Sequence, residues 1–253
     1  MTTRLYYLLS FLPVLPPLGE TPPNTVEEIL EIIRIDPIEE ASAVAGVFEF
    51  EVGLLQAVRD KFLSDAWNGS LDSPFGALSQ PVVDAFLKDP KEMGEEEWFT
   101  ELWMAYLVFL KEVGGKIGSA LLSGWADFEI SLRRQLAAAR LNAAASSVEL
   151  EDMASSGTAV GAVPPVSDPV DLPGMGDMDH GNLIAEWRDA ADPMVGERLL
   201  DEARMQFIEA EAKYYSFGID ELVAYFLKLG LLSRYARLNR EEGLKILEEV
   251  TAL

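Results

Sequence analysis

Apolar side chains recur every three to four positions along almost the whole chain, a spacing that helices can bury and strands cannot. Trp125, Phe128, Leu132, Leu136 and Ala139 follow one another at intervals of 3, 4, 4 and 3, which sets all five on one helix face. Trp98, Leu102, Ala105, Tyr106 and Phe109 form a second such stripe. Leu199, Ala203, Phe207 and Ala210 form a third, and Leu222, Tyr225, Phe226, Leu229, Leu232 and Tyr235 a fourth. No segment sustains two-residue alternation, so the pattern predicts an all-α fold, a bundle of antiparallel helices with no β-sheet of consequence. Each buried Leu or Phe contributes roughly 1.5–3 kcal/mol, which makes these stripes the main determinant of the fold.

Punctuation between the stripes places the helix ends. Thr25 and Glu28 have the spacing of a capping box and open a first helix bearing Val26, Ile29, Leu30 and Ile33. Asp36-Pro37 closes it. A longer helix is expected from about 37 to 64, with Ile38, Ala45, Phe48, Val52, Leu55, Val58 and Phe62 inward; Gly46 and Gly53 weaken it or admit a close neighbour. Turn chemistry follows at Asn68-Gly69 and at Asp72-Ser73-Pro74, then a short helix near 81–88 stopped by Asp89-Pro90. Glu95, Glu96 and Glu97 suit the positive end of the next helix, which Gly114-Gly115 is expected to break. Another helix is expected over about 116–145. Beyond the linker, helices are expected over 183–190, stopped by Asp192-Pro193, over 194–215, and through the fourth stripe. Asn239 with Glu242 starts a last helix carrying Leu244, Leu247 and Val250.

Residues 155–180 break the pattern: they are dense in Gly, Pro, Ser and Asp and have no period. They divide the chain into a helical part at 1–154, a linker or loop at 155–180, and a second helical part at 181–253 that can pack with the first as one domain.

The charge balance narrows the partners. Lys and Arg number 20 against 43 Asp and Glu, a formal net charge of −23. Such a surface repels phosphate backbones and anionic lipid, so neither nucleic acid nor direct membrane insertion is expected. It keeps an apolar protein soluble, and it steers toward basic partners. There is no cysteine, which excludes disulfides, thiolate catalysis and thiolate-bound zinc. The apolar run from Leu5 to Leu15 is interrupted by Pro13 and is too short to span a bilayer. It reads as a buried N-terminal segment, extended or a short helix. The most apolar remaining stretch, Leu102 to Leu110, also falls short of a span and is closed by Lys111 and Glu112.

The motifs of chemistry are missing. The single histidine, His180, falls in the linker, where it is poorly placed as a catalytic base. One histidine cannot supply the paired Glu-x-x-His of a helical di-iron site. Asp177-Met178-Asp179 opens like a calcium loop, but Asn182 stands where that loop needs glycine and Arg188 where it needs glutamate. Neither GxxxxGK[ST] nor GxGxxG occurs. The expectation is a protein that is not an enzyme and carries neither metal nor cofactor. Arg133, Arg134 and Arg140 are prominent against the acidic background. Either they pair with acids such as Glu129 on the same helix, or they mark a contact surface.

Three segments, YYLLSFLPVLPPLG near the start, DFEISLRRQLAAAR in the middle and FGIDELVAYFLKLGLLSRYARLNREEGLKILEEV near the end, resemble an uncharacterised bacterial family encoded with V-type ATPase subunits. That family resembles the funnel-shaped socket of the V-type ATPase central stalk, the C/d-type component of those machines. The resemblance implies a funnel-like array of antiparallel helices, shorter here than the usual socket. It also implies a non-catalytic central-stalk coupling subunit of a V-type ATPase or ATP synthase. Its partners would be the central shaft subunits and the membrane proteolipid ring. Its place would be cytoplasmic, peripheral to the inner membrane through the complex. Arg133, Arg134 and Arg140 fall in a basic stretch of the family's helix and are the partner-binding candidates. The alternative is a free-standing helical adaptor or assembly factor for the same complex.

Overall fold

A computed structural model describes residues 3–35, 37–63, 71, 75–156, 180–212 and 214–237. Among these residues all regular structure is helical, with no strand. The helices are α1 (Thr3–Phe11), α2 (Val26–Ile35), α3 (Glu39–Leu63), α4 (Gln80–Leu87), α5 (Pro90–Met93), α6 (Glu95–Ile117), α7 (Ala120–Ser156), α8 (His180–Asp189), α9 (Pro193–Glu211) and α10 (Ile219–Arg237). A short 3₁₀ turn, Gly76–Leu78, precedes α4. The all-α expectation is met.

Local chemistry explains most of the boundaries. The capping box forms: the Thr25 N–H donates to Glu28 Oε2 at 3.0 Å and the Glu28 N–H donates to Thr25 Oγ1 at 3.2 Å. Asp89 caps the single turn α5, and Asp192 caps α9; each accepts an N–H two residues on at 2.8 Å, and each is followed by proline. The Gly114-Gly115 pair does not break α6. The helix runs on to Ile117 and ends where Gly118 adopts φ +76, the left-handed conformation that releases the chain from a helix. Gly114 serves packing instead. A Cβ there would lie 2.5 Å from Ser123 Oγ and 2.8 Å from the Ser123 backbone nitrogen, so its bare Cα lets α6 and α7 touch.

Two more expectations shift. α7 runs to Ser156 and not to Ala145, so positions 155 and 156 belong to a helix and not to the linker. His180, read as linker, opens α8. Residues 157–179, and the last helix expected from Asn239, lie outside the described residues.

One hydrophobic cluster joins both helical parts. α6 lies along α7, α4 packs on α6, and α10 packs against α2, α3, α7 and α9. Phe48 on α3 stacks on Phe226 of α10 at 4.6 Å, and Phe128 on α7 stacks on Phe207 of α9 at 4.5 Å. The stripe on α7 is buried as the spacing predicts, from Trp125 to Leu136. The expected face of α3 holds only for its first half. Ile38, Ala45 and Phe48 are buried, but Leu55 and Phe62 are exposed, and Phe50, Leu54 and Ala57 take their place. α3 meets α2, α6 and α10 on different sides, so a single stripe cannot describe it.

By length and composition α3 is also the one described helix apolar enough to cross a membrane, with a mean hydropathy of 1.4 over an 18-residue window within Glu39–Phe62. Leu102–Leu110 is too short for that comparison, as its length implies. Half of the α3 window is buried inside the fold, as a core helix requires.

The N-terminal segment forms a short helix, as one of the two expected alternatives, and is buried on one side only. Leu5 and Leu12 enter the core, whereas Phe11 is 76% exposed and Val14 91%. The Tyr6 ring lies 4.5 Å from that of Phe217, just before α10, and Gly19 lies against Tyr235 near the end of α10. The segment therefore meets the chain near both ends of α10, through Tyr6 and Gly19.

Candidate functional site

The most concentrated polar chemistry lies where α7, α9 and α10 meet. Glu129 on α7 and Arg204 on α9 are 75 positions apart, and both are buried. Arg204 donates from Nε to Glu129 Oε1 at 2.6 Å, from Nη2 to Glu129 Oε2 at 3.4 Å, and from Nη1 to Asp201 Oδ1 at 3.0 Å. Arg234 of α10 reaches Asp201 Oδ1 at 3.2 Å and also pairs with Glu197. Arg133 approaches Glu129 Oε2 at 3.5 Å from one helical turn further along α7. Three arginines thus face Glu129, Asp201 and Glu197, and the cluster is neutral when all six are ionised.

Burial and pairing compete within it. Burial works to raise the Glu129 carboxyl, but Arg204, Arg133 and Arg234 together hold it below the usual carboxylate range. Asp201 goes the other way: burial raises it despite Arg234 and Arg204, and its Oδ2 is buried with no hydrogen-bond partner. Burial opposes the charge on Arg204, yet Glu129 and Asp201 outweigh it and hold the guanidinium firmly protonated.

A second group adjoins the cluster. The Glu129 charge on α7 acts on the Glu51 carboxyl of α3, and burial together with that carboxyl raises the Tyr106 hydroxyl of α6. Loss of water around the Glu51 carboxyl pushes its pKa up to about 7; the Glu129 charge adds to the rise and the Tyr106 hydroxyl opposes it. A further tertiary tie lies at the start of α7. Asp220 of α10 accepts from Ser119 Oγ at 2.7 Å and from the Leu121 N–H at 3.2 Å, capping α7 from another helix.

The three arginines singled out from sequence part company. Arg133 pairs with Glu129 and lies 6.0 Å from the Trp103 ring of α6. Arg140 lies 5.4 Å from the Trp187 ring and so clasps α7 to α8. Arg134 is exposed and makes no ion pair among the described residues. Spacing within a helix could reveal Arg133–Glu129. It gave no sign of Arg204, Asp201 or Arg234, whose partners come from other helices. Among the described residues no three of His, Asp and Glu are placed to hold a metal ion. Asp177 and Asp179 lie outside the described residues.

Helices tied to one another by buried ion pairs and a shared apolar core define an all-α packing unit. The chain belongs to a family described as a protein of unknown function (DUF2764), whose profile matches residues 78–252. That span covers the whole charge cluster on α7, α9 and α10. Neither a curated protein nor a solved structure matches the chain.

Proposed function

We propose that this protein is a non-catalytic coupling subunit of a V-type ATPase or ATP synthase, seated between the central shaft and the proteolipid ring on the cytoplasmic side. The observation that carries the reading is the convergence of the three resembling segments. The first meets the third at the Tyr6–Phe217 and Gly19–Tyr235 contacts. The third is tied to α7, the helix that holds the second, through Asp220 at the start of α7 and the packing of α10 on α7. Residues far apart in sequence are therefore packed together.

A part that passes torque has to deform little under load. The Glu129–Arg204–Asp201–Arg234 chain suits that demand, because a buried ion network resists sliding of one helix past another: any slip leaves a charge unpaired in a dry interior. Arg134, exposed and without an ion-pair partner among the described residues, is the arginine best placed to meet an acidic neighbour.

The test is purification of the intact rotary ATPase from the native cell with this protein tagged at its own locus. One copy per complex, retained through gel filtration, supports the reading. A free-standing adaptor or assembly factor would appear on partly built complexes and be missing from the mature enzyme.

A further inference from the structure

Between α2 and α3 the surface is built differently from the charge cluster. The two helices flank a groove of about 660 Å³. Its floor is apolar: Leu30 from α2, and Val52 and Gly53 from α3. Gly53 leaves room there, since a Cβ added to it would meet nothing within 4 Å. Ile35 on α2 and Leu55 on α3 are exposed outside the groove lining, at 81% and 47%. Its rim is acidic. Glu27, Glu28, Glu31 and Glu49 line it against a single lining cation, Arg34. Arg34 is already engaged by Glu31 and, at 2.6 Å, by Glu49. Four carboxylates against one guanidinium leave the rim three charges negative around a strip that water wets poorly.

We infer that this groove docks a basic amphipathic helix of another protein. An apolar row at i, i+3 and i+4 would lie on Val52 and over Gly53, and flanking Lys or Arg would pair with Glu27, Glu31 and Glu49. Charge complementarity selects this occupant. A second copy of the chain brings its own charge of −23 to an acidic rim, and an anionic lipid surface is repelled in the same way. The groove lies outside residues 78–252, and the inference does not depend on the rotary-complex reading.

The experiment uses the full chain and a labelled synthetic helix of alternating Leu and Lys faces, with a Glu-for-Lys copy as its control. Anisotropy titrations are run on the parent, on Gly53→Trp and on Gly115→Trp. Gly53→Trp projects a bulky ring from the open floor of the groove. Gly115→Trp puts the same side chain on an equally open site of α6. The expected result is binding of the Lys helix to the parent, at least tenfold weaker binding to Gly53→Trp, unchanged binding to Gly115→Trp, and none of the Glu helix. Unchanged melting temperatures establish that both variants are folded. Equal binding of the Lys helix to parent and Gly53→Trp would mean diffuse attraction to an acidic surface and would overturn the inference. So would no binding at all, or a parent that sediments as a dimer and a Gly53→Trp variant that sediments as a monomer.

Discussion

Arg204 on α9 grips Glu129 on α7 with two donated hydrogen bonds, at 2.6 Å and 3.4 Å, inside a core where both side chains are shielded from water. The pair joins the two helical parts of the chain, and Asp201, Arg133 and Arg234 are organised around it.

Replacing Arg204 by methionine keeps the bulk and removes the charge. Glu129 and Asp201 are then buried with only peripheral partners. The expected loss is roughly 3–5 kcal/mol of unfolding free energy, read from urea midpoints. The triple replacement R204M/E129L/D201L should recover most of it, because an apolar cluster of similar volume carries no desolvation cost. Equal midpoints for parent and R204M would mean that the pair does not hold α7 to α9.

Glu51 gives a pH signature of definite sign. Its carboxyl pKa is raised from 4.5 to about 7 in the fold, so between those values the folded protein holds a proton that the unfolded chain has lost. Stability from this group therefore falls as pH rises through that window. Glu51→Gln should match the parent at pH 4 and exceed it by about 1–3 kcal/mol at pH 8. Glu129, held low by its arginines, acts oppositely: its contribution is present above its unfolded value and is lost on acidification. An E51Q advantage that is the same at both pH values would contradict the assignment.

Two adjacent glycines on α6 should respond in opposite directions. Gly114→Ala forces a methyl group toward the backbone of Ser123 and should cost about 1–3 kcal/mol. Gly115→Ala meets open space and should gain about 0.5–1 kcal/mol from helix propensity. Thermal melts of the two variants side by side decide the point.

Arg134 and Arg133 separate contact from stability. Arg134→Glu should leave the melting temperature unchanged and weaken retention on the purified ATPase on the order of tenfold, equivalent to about 1.4 kcal/mol of binding. Arg133→Glu brings a second acid beside Glu129 and should lower the melting temperature itself. Full retention of R134E would remove Arg134 as a contact residue.

Helix identity was legible because burial on one side leaves a period. The α7 stripe and the Thr25–Glu28 box are local patterns, and both form as the spacing predicts. α3 was legible only in part, because a helix buried on several sides has no single stripe to read. Gly114-Gly115 read as a break because glycine lowers helix propensity, yet contact with α7 outweighed that preference. The charge cluster was almost invisible. Arg204, Asp201 and Arg234 are ordinary members of polar helix faces until tertiary packing brings them to Glu129, and nothing in their spacing foretells that partner. Among the arginines, spacing found the Arg133 pair and could not distinguish Arg140, which meets a tryptophan on another helix, from the exposed Arg134.

A cryo-EM map of the native rotary ATPase tests the coupling role most directly. The prediction is one copy of this helical fold at the cytoplasmic junction of shaft and proteolipid ring, with α7, α9 and α10 in the same mutual packing as in the isolated chain. A junction filled wholly by other proteins, with no density matching these helices, would contradict it.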